Sequence, residues 1–230
     1  MDRPSRATKD IDGLVRGDLG EFMQTLEEVL AEPWGPLTLR HGPVTVIDVP
    51  TRVQKPRRFD IYIELRGVTW RRIQFEIAPD EAGIGDESES TEPAPLGAFG
   101  LPDPDSLVSI TLRYQIAQKL HAVSDPHDPP NTVNDRARDV VDLLLIRNLT
   151  TVIGLPTNTE IATAARAVFR SRAEEAIRLG LTPRQWPAVI ISYPHWETDY
   201  ERAAESAGVE LPLDDAVAQV NAWIVELQRV

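Results

Sequence analysis

The sequence predicts an α+β protein: a small mixed sheet with helices, followed by a helical bundle. Period-2 patterning dominates the first third, and apolar residues at helical spacing run from about residue 107 onward. Between them, 79–105 is rich in Gly, Ser, Pro and acid. The expected division is a sheet domain over 1–105, with 79–105 as its acidic loop, and a helical domain over 106–230.

The elements follow in order. Residues 8–15 read as a short strand, with Ile11, Leu14 and Val15 among polar neighbours. Residues 19–32 read as a helix because Phe22, Leu26, Val29 and Leu30 recur at helical spacing. Pro33, which has no N–H to donate, ends it. Strands are expected at 44–49, 58–65 and 71–77, the last two joined by a turn near Gly67. The stretch 79–105 holds eight acidic and no basic residues, and reads as a solvated loop. Helices over 107–123 and 134–148 form a pair joined by the Pro-rich 125–131, with Asn134 as N-cap of the second. Helices over 161–179, 195–207 and 213–228 complete the bundle, and the chain has no internal repeat.

Composition narrows the function classes. The 230 residues include no cysteine, so disulfides and thiolate metal sites are excluded and a reducing cytoplasm is the expected setting. No apolar run reaches the roughly 18 residues that span a bilayer, and Met1–Arg6 has no signal-peptide core, so no membrane partner is expected. A net charge of −12 argues against non-specific nucleic-acid binding. Residues 1–78 are nonetheless balanced, with 12 basic and 12 acidic residues. They include basic clusters at Arg52, Lys55, Arg57 and Arg58 and at Arg66, Arg71 and Arg72, so a nucleic acid would meet this part.

Asp10 and Asp12 stand two apart in a strand and present paired carboxylates on one face. Hard oxygen donors at that spacing suit Mg²⁺, which takes a few carboxylates plus substrate phosphates. Glu76 stands between Phe75 and Ile77 in a later strand. Either it joins the two aspartates, or Phe75 and Ile77 face the core and Glu76 faces solvent. Two acids on one strand and one on a neighbour is the arrangement that metal-assisted nucleotidyl transfer needs. In the helices, Lys119 lies at the edge of the stripe Leu112, Ile116, Leu120, Val123, where it either snorkels to water or reaches into a cleft to hold a triphosphate. Asp139 and Asp142 share a helix face, and Arg136 or Arg138 are their expected structural partners. Trp186, Tyr193, Trp196 and Tyr200 suit either bundle packing or stacking on RNA bases.

Taken in order, Arg6-x-Thr8-x-Asp10-x-Asp12, Phe75-Glu76-Ile77, Gln118-Lys119-Leu120-His121-Ala122 and Arg138-Asp139-Val140-Val141-Asp142-Leu143 resemble the AbiEii/AbiGii-type nucleotidyltransferase toxins, including the mycobacterial MenT group, over about residues 6–147. The resemblance implies a polymerase-β-like nucleotidyltransferase fold with a helical C-terminal part. It implies transfer of a nucleoside monophosphate from an NTP, for the MenT group to the 3′ end of tRNA, which blocks aminoacylation and so translation. A cognate antitoxin is implied as partner. By motif position Asp10 and Asp12 would bind Mg²⁺, with Mn²⁺ as an alternative. Thr8 and Arg6 would lie near the nucleotide phosphates, and Lys119 would hold the triphosphate from the helical domain's side of a cleft. Arg138 would contact the nucleotide, Asp139 would complete the site, and Glu76 matches the third acid of the wider superfamily.

The chain departs from the pattern in one respect. Relatives carry a Gly-Gly or Gly-Ser element on a helix upstream of the first acidic strand, where backbone N–H groups meet phosphates. Nine residues precede Asp10 and none forms that element, and Gly83-Ile84-Gly85 lies in the acidic loop. An upstream start, or loss of that helix, is the implied explanation. The alternative function is a catalytically inactive protein of the same fold, acting as a partner-binding module or left by a decayed gene. A glycosyltransferase needs a doubly wound half ahead of its Asp-x-Asp, for which nine residues leave no room. A hydrolase lacks support, since His41, His121, His127 and His195 have no metal-ligand spacing and no Gly-x-Ser-x-Gly is present.

Overall fold

The structure, a computed structural model, describes residues 10–230. They form two compact units, one running to Thr111 and the other spanning Leu112–Val230.

The first unit is built on a mixed sheet. Strands β1 (Asp10–Val15), β2 (Leu37–His41), β3 (Thr45–Val46), β4 (Arg57–Leu65) and β5 (Val68–Pro79) lie in the order β1-β5-β4-β2, with β3 also paired to β4. β1 runs parallel to β5 and the other pairs are antiparallel. Helix α1 (Leu19–Ala31) follows β1. Its N-cap Asp18 accepts from the amides of Gly20 at 2.6 Å and Glu21 at 3.0 Å, satisfying two donors that the first turn leaves without partners. Leu19, Met23, Phe22, Leu26 and Leu30 from α1 pack on Val15, Phe59, Ile61, Phe75 and Ile77 of the sheet. Full burial of each such side chain stabilises the fold by about 1.5–3 kcal/mol. The β4–β5 hairpin turns at Arg66 and Gly67, both at positive φ (54° and 76°). That two-residue geometry matches the right-handed twist of the strands, and glycine adopts it without a Cβ penalty.

Several expectations need correction here. β2 was not anticipated, and the strand expected over 44–49 is a two-residue pairing. The acidic stretch is not simply solvated, because its acids build it. Glu81 forms a buried ion pair with Arg52 at 2.7 Å, Asp80 accepts from the Gly85 amide, and Asp103 accepts from the amides of Leu96 and Gly97. Strand β6 (Ser88–Thr91) lies inside this stretch. It pairs with β7 (Leu107–Ile110), so residues expected to open the first helix of the bundle are a strand of the sheet unit instead.

The second unit is helical: α2 (Leu112–Val123), α3 (Ala137–Ile153), α4 (Asn158–Arg178), α5 (Glu197–Ala207) and α6 (Leu213–Gln228). α2 packs on α3 and α4, and α3 on α5 and α6. Gly154, at φ 77°, closes α3 in the left-handed conformation, and Thr157 with Glu160 forms a reciprocal capping box on α4. The core holds Ile116, Leu120, Val140, Leu143, Phe169, Trp196, Tyr200 and Trp223. Trp196 and Tyr200 are thus bundle core, with Trp186 and Tyr193 packed against it.

Asn134 is not the N-cap of α3, which starts three residues later. It is a buried clamp across the α2–α3 connection. Its amide donates to the carbonyls of Val123 (3.1 Å) and Asp125 (2.6 Å), and its Oδ1 accepts from the Arg136 amide (3.1 Å). Its own carbonyl accepts from the Trp196 indole.

Candidate active site

The sheet has a greasy side and a charged side, and alternation decides which residue goes where. Phe59, Ile61, Phe75, Ile77 and Val15 point to α1. Their neighbours Arg58, Asp60, Gln74 and Glu76 therefore occupy the opposite face, in register with Asp10 and Asp12. One row across β1, β5 and β4 reads Asp12, Glu76, Arg58, and the next reads Asp10, Gln74, Asp60. Both sequence alternatives for Glu76 thus hold in part. Phe75 and Ile77 face the core, and the face that Glu76 shares carries both aspartates.

Glu76 is engaged on that face. Its Oε1 accepts from Arg58 Nε at 2.7 Å and meets Nη2 at 2.5 Å, and Gln74 approaches the same oxygen at 3.4 Å. Arg72 pairs with Asp60 at 3.6 Å, and Arg40 pairs with Glu64 and lies over the Tyr62 ring. Among the described residues no three His, Asp or Glu side chains converge to hold a metal ion. Asp10 and Asp12 remain two hard oxygen donors on one exposed face, a set that fits Mg²⁺ drawing its other ligands from phosphates and water. Glu76, turned to Arg58, does not complete a third corner.

A second cluster sits in the helical unit. Lys119 Nζ of α2 donates to Asp139 Oδ1 and Asp142 Oδ2 of α3, each at 2.8 Å. The lysine side chain is 28% exposed, the aspartates 13% and 14%. Burial pulls the Lys119 pKa down, but the two carboxylates and their hydrogen bonds outweigh it and raise it above the ordinary lysine value. Lys119 therefore neither snorkels to water nor stands alone, and it displaces Arg136 and Arg138 as partner of the two acids. Arg138 turns towards Asp199 of α5, at 3.9 Å.

His121, two residues on from Lys119, is buried and structural. Its ring meets Phe169 edge-on at 4.7 Å, and the Arg184 guanidinium lies within 2.7 Å and 2.9 Å of its two ring nitrogens. Arg184 also donates to the His121 carbonyl and Ser124 Oγ and pairs with Asp125, fastening the end of α2. Burial raises the Asp125 pKa against the opposing pull of Arg184, and lowers that of Arg184 itself.

The expected site residues therefore fall into two groups: Asp10, Asp12 and Glu76 on one sheet face, and Lys119 with Asp139 in the helices, joined by Asp142. Arg6 and Thr8 lie outside the described residues. Arg58 was visible in the sequence only as one member of a basic cluster. Spacing places it on the same strand face as Asp60, and its position opposite Glu76 comes only from the β4–β5 register.

A mixed sheet with acidic residues ranked across its parallel pair, in a chain that also carries a lysine held by two aspartates in a helical unit, is consistent with a nucleotidyltransferase. The family model described as nucleotidyl transferase AbiEii toxin, type IV TA system, matches residues 1–222, and the chain belongs to that family of toxin–antitoxin nucleotidyltransferases. No curated protein matches the sequence. Among the described residues no helix is long and apolar enough to cross a membrane.

Proposed function

We propose that this chain transfers a nucleoside monophosphate from an NTP to the end of an RNA, with the 3′ end of tRNA as acceptor, and so blocks translation until a cognate antitoxin intervenes. The observation that carries the reading is the row order on the sheet face, with Asp10 and Asp12 beside Gln74 and Glu76 on the side away from the α1 core. In a chain of this family, that is where catalytic carboxylates are needed.

In this reading Asp10 and Asp12 hold Mg²⁺, or Mn²⁺ in its place, with Arg6 and Thr8 near the nucleotide phosphates. The ion would lower the pKa of the attacking hydroxyl and offset charge on the departing pyrophosphate. Lys119 supplies a fixed positive charge for the triphosphate, kept protonated by its two carboxylates. Asp139 orients that ammonium, and Arg138 adds a further contact to the nucleotide.

Incubation with Mg²⁺, each labelled NTP in turn and total tRNA tests the reading. Label entering RNA with the parent protein, and lost with Asp10→Asn, supports it and names the nucleotide. Absence of label with every NTP, by a protein that is folded, leaves the inactive partner-binding reading as the better one.

A further inference from the structure

We propose that Arg58 binds the triphosphate of the nucleotide, and that Glu76 holds its guanidinium in place until a nucleotide arrives. This inference rests on the nucleotidyl-transfer reading and assigns a residue to it.

Register makes the case first. Arg58 on β4 is directly opposite Glu76 on β5, and Glu76 is directly opposite Asp12 on β1. Neighbouring strands are about 4.8 Å apart, so Arg58 stands two strand spacings, roughly 10 Å, from the aspartate strand on the same face. The other arginines of β2, β4 and β5 are placed differently, Arg71 lying opposite Ile63 at the far end of β5 from Glu76 and over the Trp70 ring. Arg57 points to the other side, where its Nη1 donates to the Leu19 carbonyl at 3.4 Å. Arg72 lies in the row of Tyr62, two residues before Gln74 on β5 and so four from Glu76, and pairs with Asp60. Arg40 is committed to Glu64 and Tyr62.

The chemistry of the pair comes second. Two guanidinium nitrogens converge on one carboxylate oxygen, with Arg58 49% and Glu76 27% exposed. An ion pair this open to water contributes little to stability, so holding the fold together does not account for it. A guanidinium fork takes phosphate oxygens in the same way as carboxylate oxygens, and prefers the more highly charged anion. Charge supplies the third point. Asp10, Asp12, Asp60 and Glu76 all lie on this face, so a polyphosphate approaching it is repelled unless a cation receives it. Arg58 is the guanidinium in the Asp12 row, and its present carboxylate partner occupies the place a phosphate oxygen would take.

The test measures binding, not turnover. Inorganic tripolyphosphate and each of the four NTPs are titrated by calorimetry into the full-length protein in EDTA, so that no metal contributes. Arg58→Gln is expected to weaken binding about tenfold or more, the loss of charge-assisted hydrogen bonds to phosphate. Arg58→Lys, which keeps the charge and loses the fork, should fall between the two. Glu76→Gln should tighten binding in the parent, and by a smaller factor in the Arg58→Gln background. That non-additivity separates a latch on Arg58 from simple removal of a nearby negative charge. Equal tightening in both backgrounds overturns the latch, and affinity within twofold of the parent for Arg58→Gln overturns the inference while leaving nucleotidyl transfer standing. A parent that binds none of these ligands in EDTA overturns the inference, whose premise is metal-free binding through Arg58, whereas nucleotidyl transfer stands or falls on label incorporation with Mg²⁺.

Discussion

Replacing Lys119 by methionine tests the helical cluster most directly. The change keeps the alkyl length, so the apolar packing of α2 is preserved while the ammonium is removed. At 2.8 Å and an effective dielectric near 20, each ion pair has a gross attraction of about 6 kcal/mol. Most of that is offset by the water lost when the three groups are buried, leaving roughly 1.5–3 kcal/mol per charged hydrogen bond. The two aspartates, mostly buried, would then repel each other, although rotation towards water relieves part of the strain. Lys119→Met should therefore lose about 2–4 kcal/mol of stability. Urea denaturation followed by fluorescence reads the helical unit, because Trp196 and Trp223 are buried in its core. Adding Asp142→Asn should recover part of the loss, since the repulsion between the two carboxylates is then removed. The pH dependence fixes the sign. A lysine whose folded pKa is raised contributes stability that is fully present below its unfolded pKa, near 10.5, and that fades as pH rises through the higher folded value. The parent should lose this contribution above pH 10.5, and Lys119→Met should lack that component. A loss under about 0.5 kcal/mol, or identical alkaline profiles, would refute the assignment of Lys119 as the cation that binds α2 to α3.

Three further outcomes are expected. Glu81→Gln removes the carboxylate that Arg52 meets at 2.7 Å in a pair largely out of water and should destabilise the sheet unit by about 3 kcal/mol, read as faster amide exchange in β5. Asn134→Ala removes the donors from the carbonyls of Val123 and Asp125 and should cost about 2–3 kcal/mol of unfolding free energy, read as a lower urea midpoint, with the α2–α3 connection becoming sensitive to limited proteolysis. Asp18→Ala should cost about 1 kcal/mol through loss of the α1 cap, seen as a lower thermal midpoint, while Asp18→Asn should cost less.

Local periodicity made much of the fold legible, and it failed where pairing partners decide the outcome. β4 and β5 alternate cleanly because one side of each packs on α1, and α6 is apolar on one helical face because it closes the bundle core. β2 is five residues between Gly35-Pro36 and Gly42-Pro43, too short for a pattern, and exists because β4 offers it a ladder. Leu107-Val108-Ser109-Ile110 suits the first turn of a helix as well as a strand, and only β6, itself hidden in an acidic stretch, resolves the ambiguity. The site residues divide in the same way. Asp10, Asp12, Lys119 and Asp139 were visible as motif positions. That Glu76 turns to Arg58, and that Lys119 rather than an arginine of α3 takes Asp139 and Asp142, depends on sheet register and helix packing, which residue spacing does not encode.

Exposure sorts the ion pairs of this protein by role. Arg52 and Glu81 are almost wholly removed from water, where breaking a pair is costly and no outside anion competes; that pair belongs to the architecture of the acidic stretch. Arg58 with Glu76 is a cation held by a carboxylate at a site water still reaches. A pair this open is weak enough for a more highly charged anion to displace the carboxylate, which is what the role proposed for Arg58 requires. The two kinds should separate under salt. Ionic strength screens the half-exposed pair and leaves the buried one nearly untouched, so the cost of Glu81→Gln should be the same at 0.1 M and 1 M NaCl. The effect of Arg58→Gln on tripolyphosphate binding should shrink over that range. A Glu81→Gln penalty that fell equally with salt would mean the pair is open to solvent, and the distinction between structural and exchangeable cations would fail.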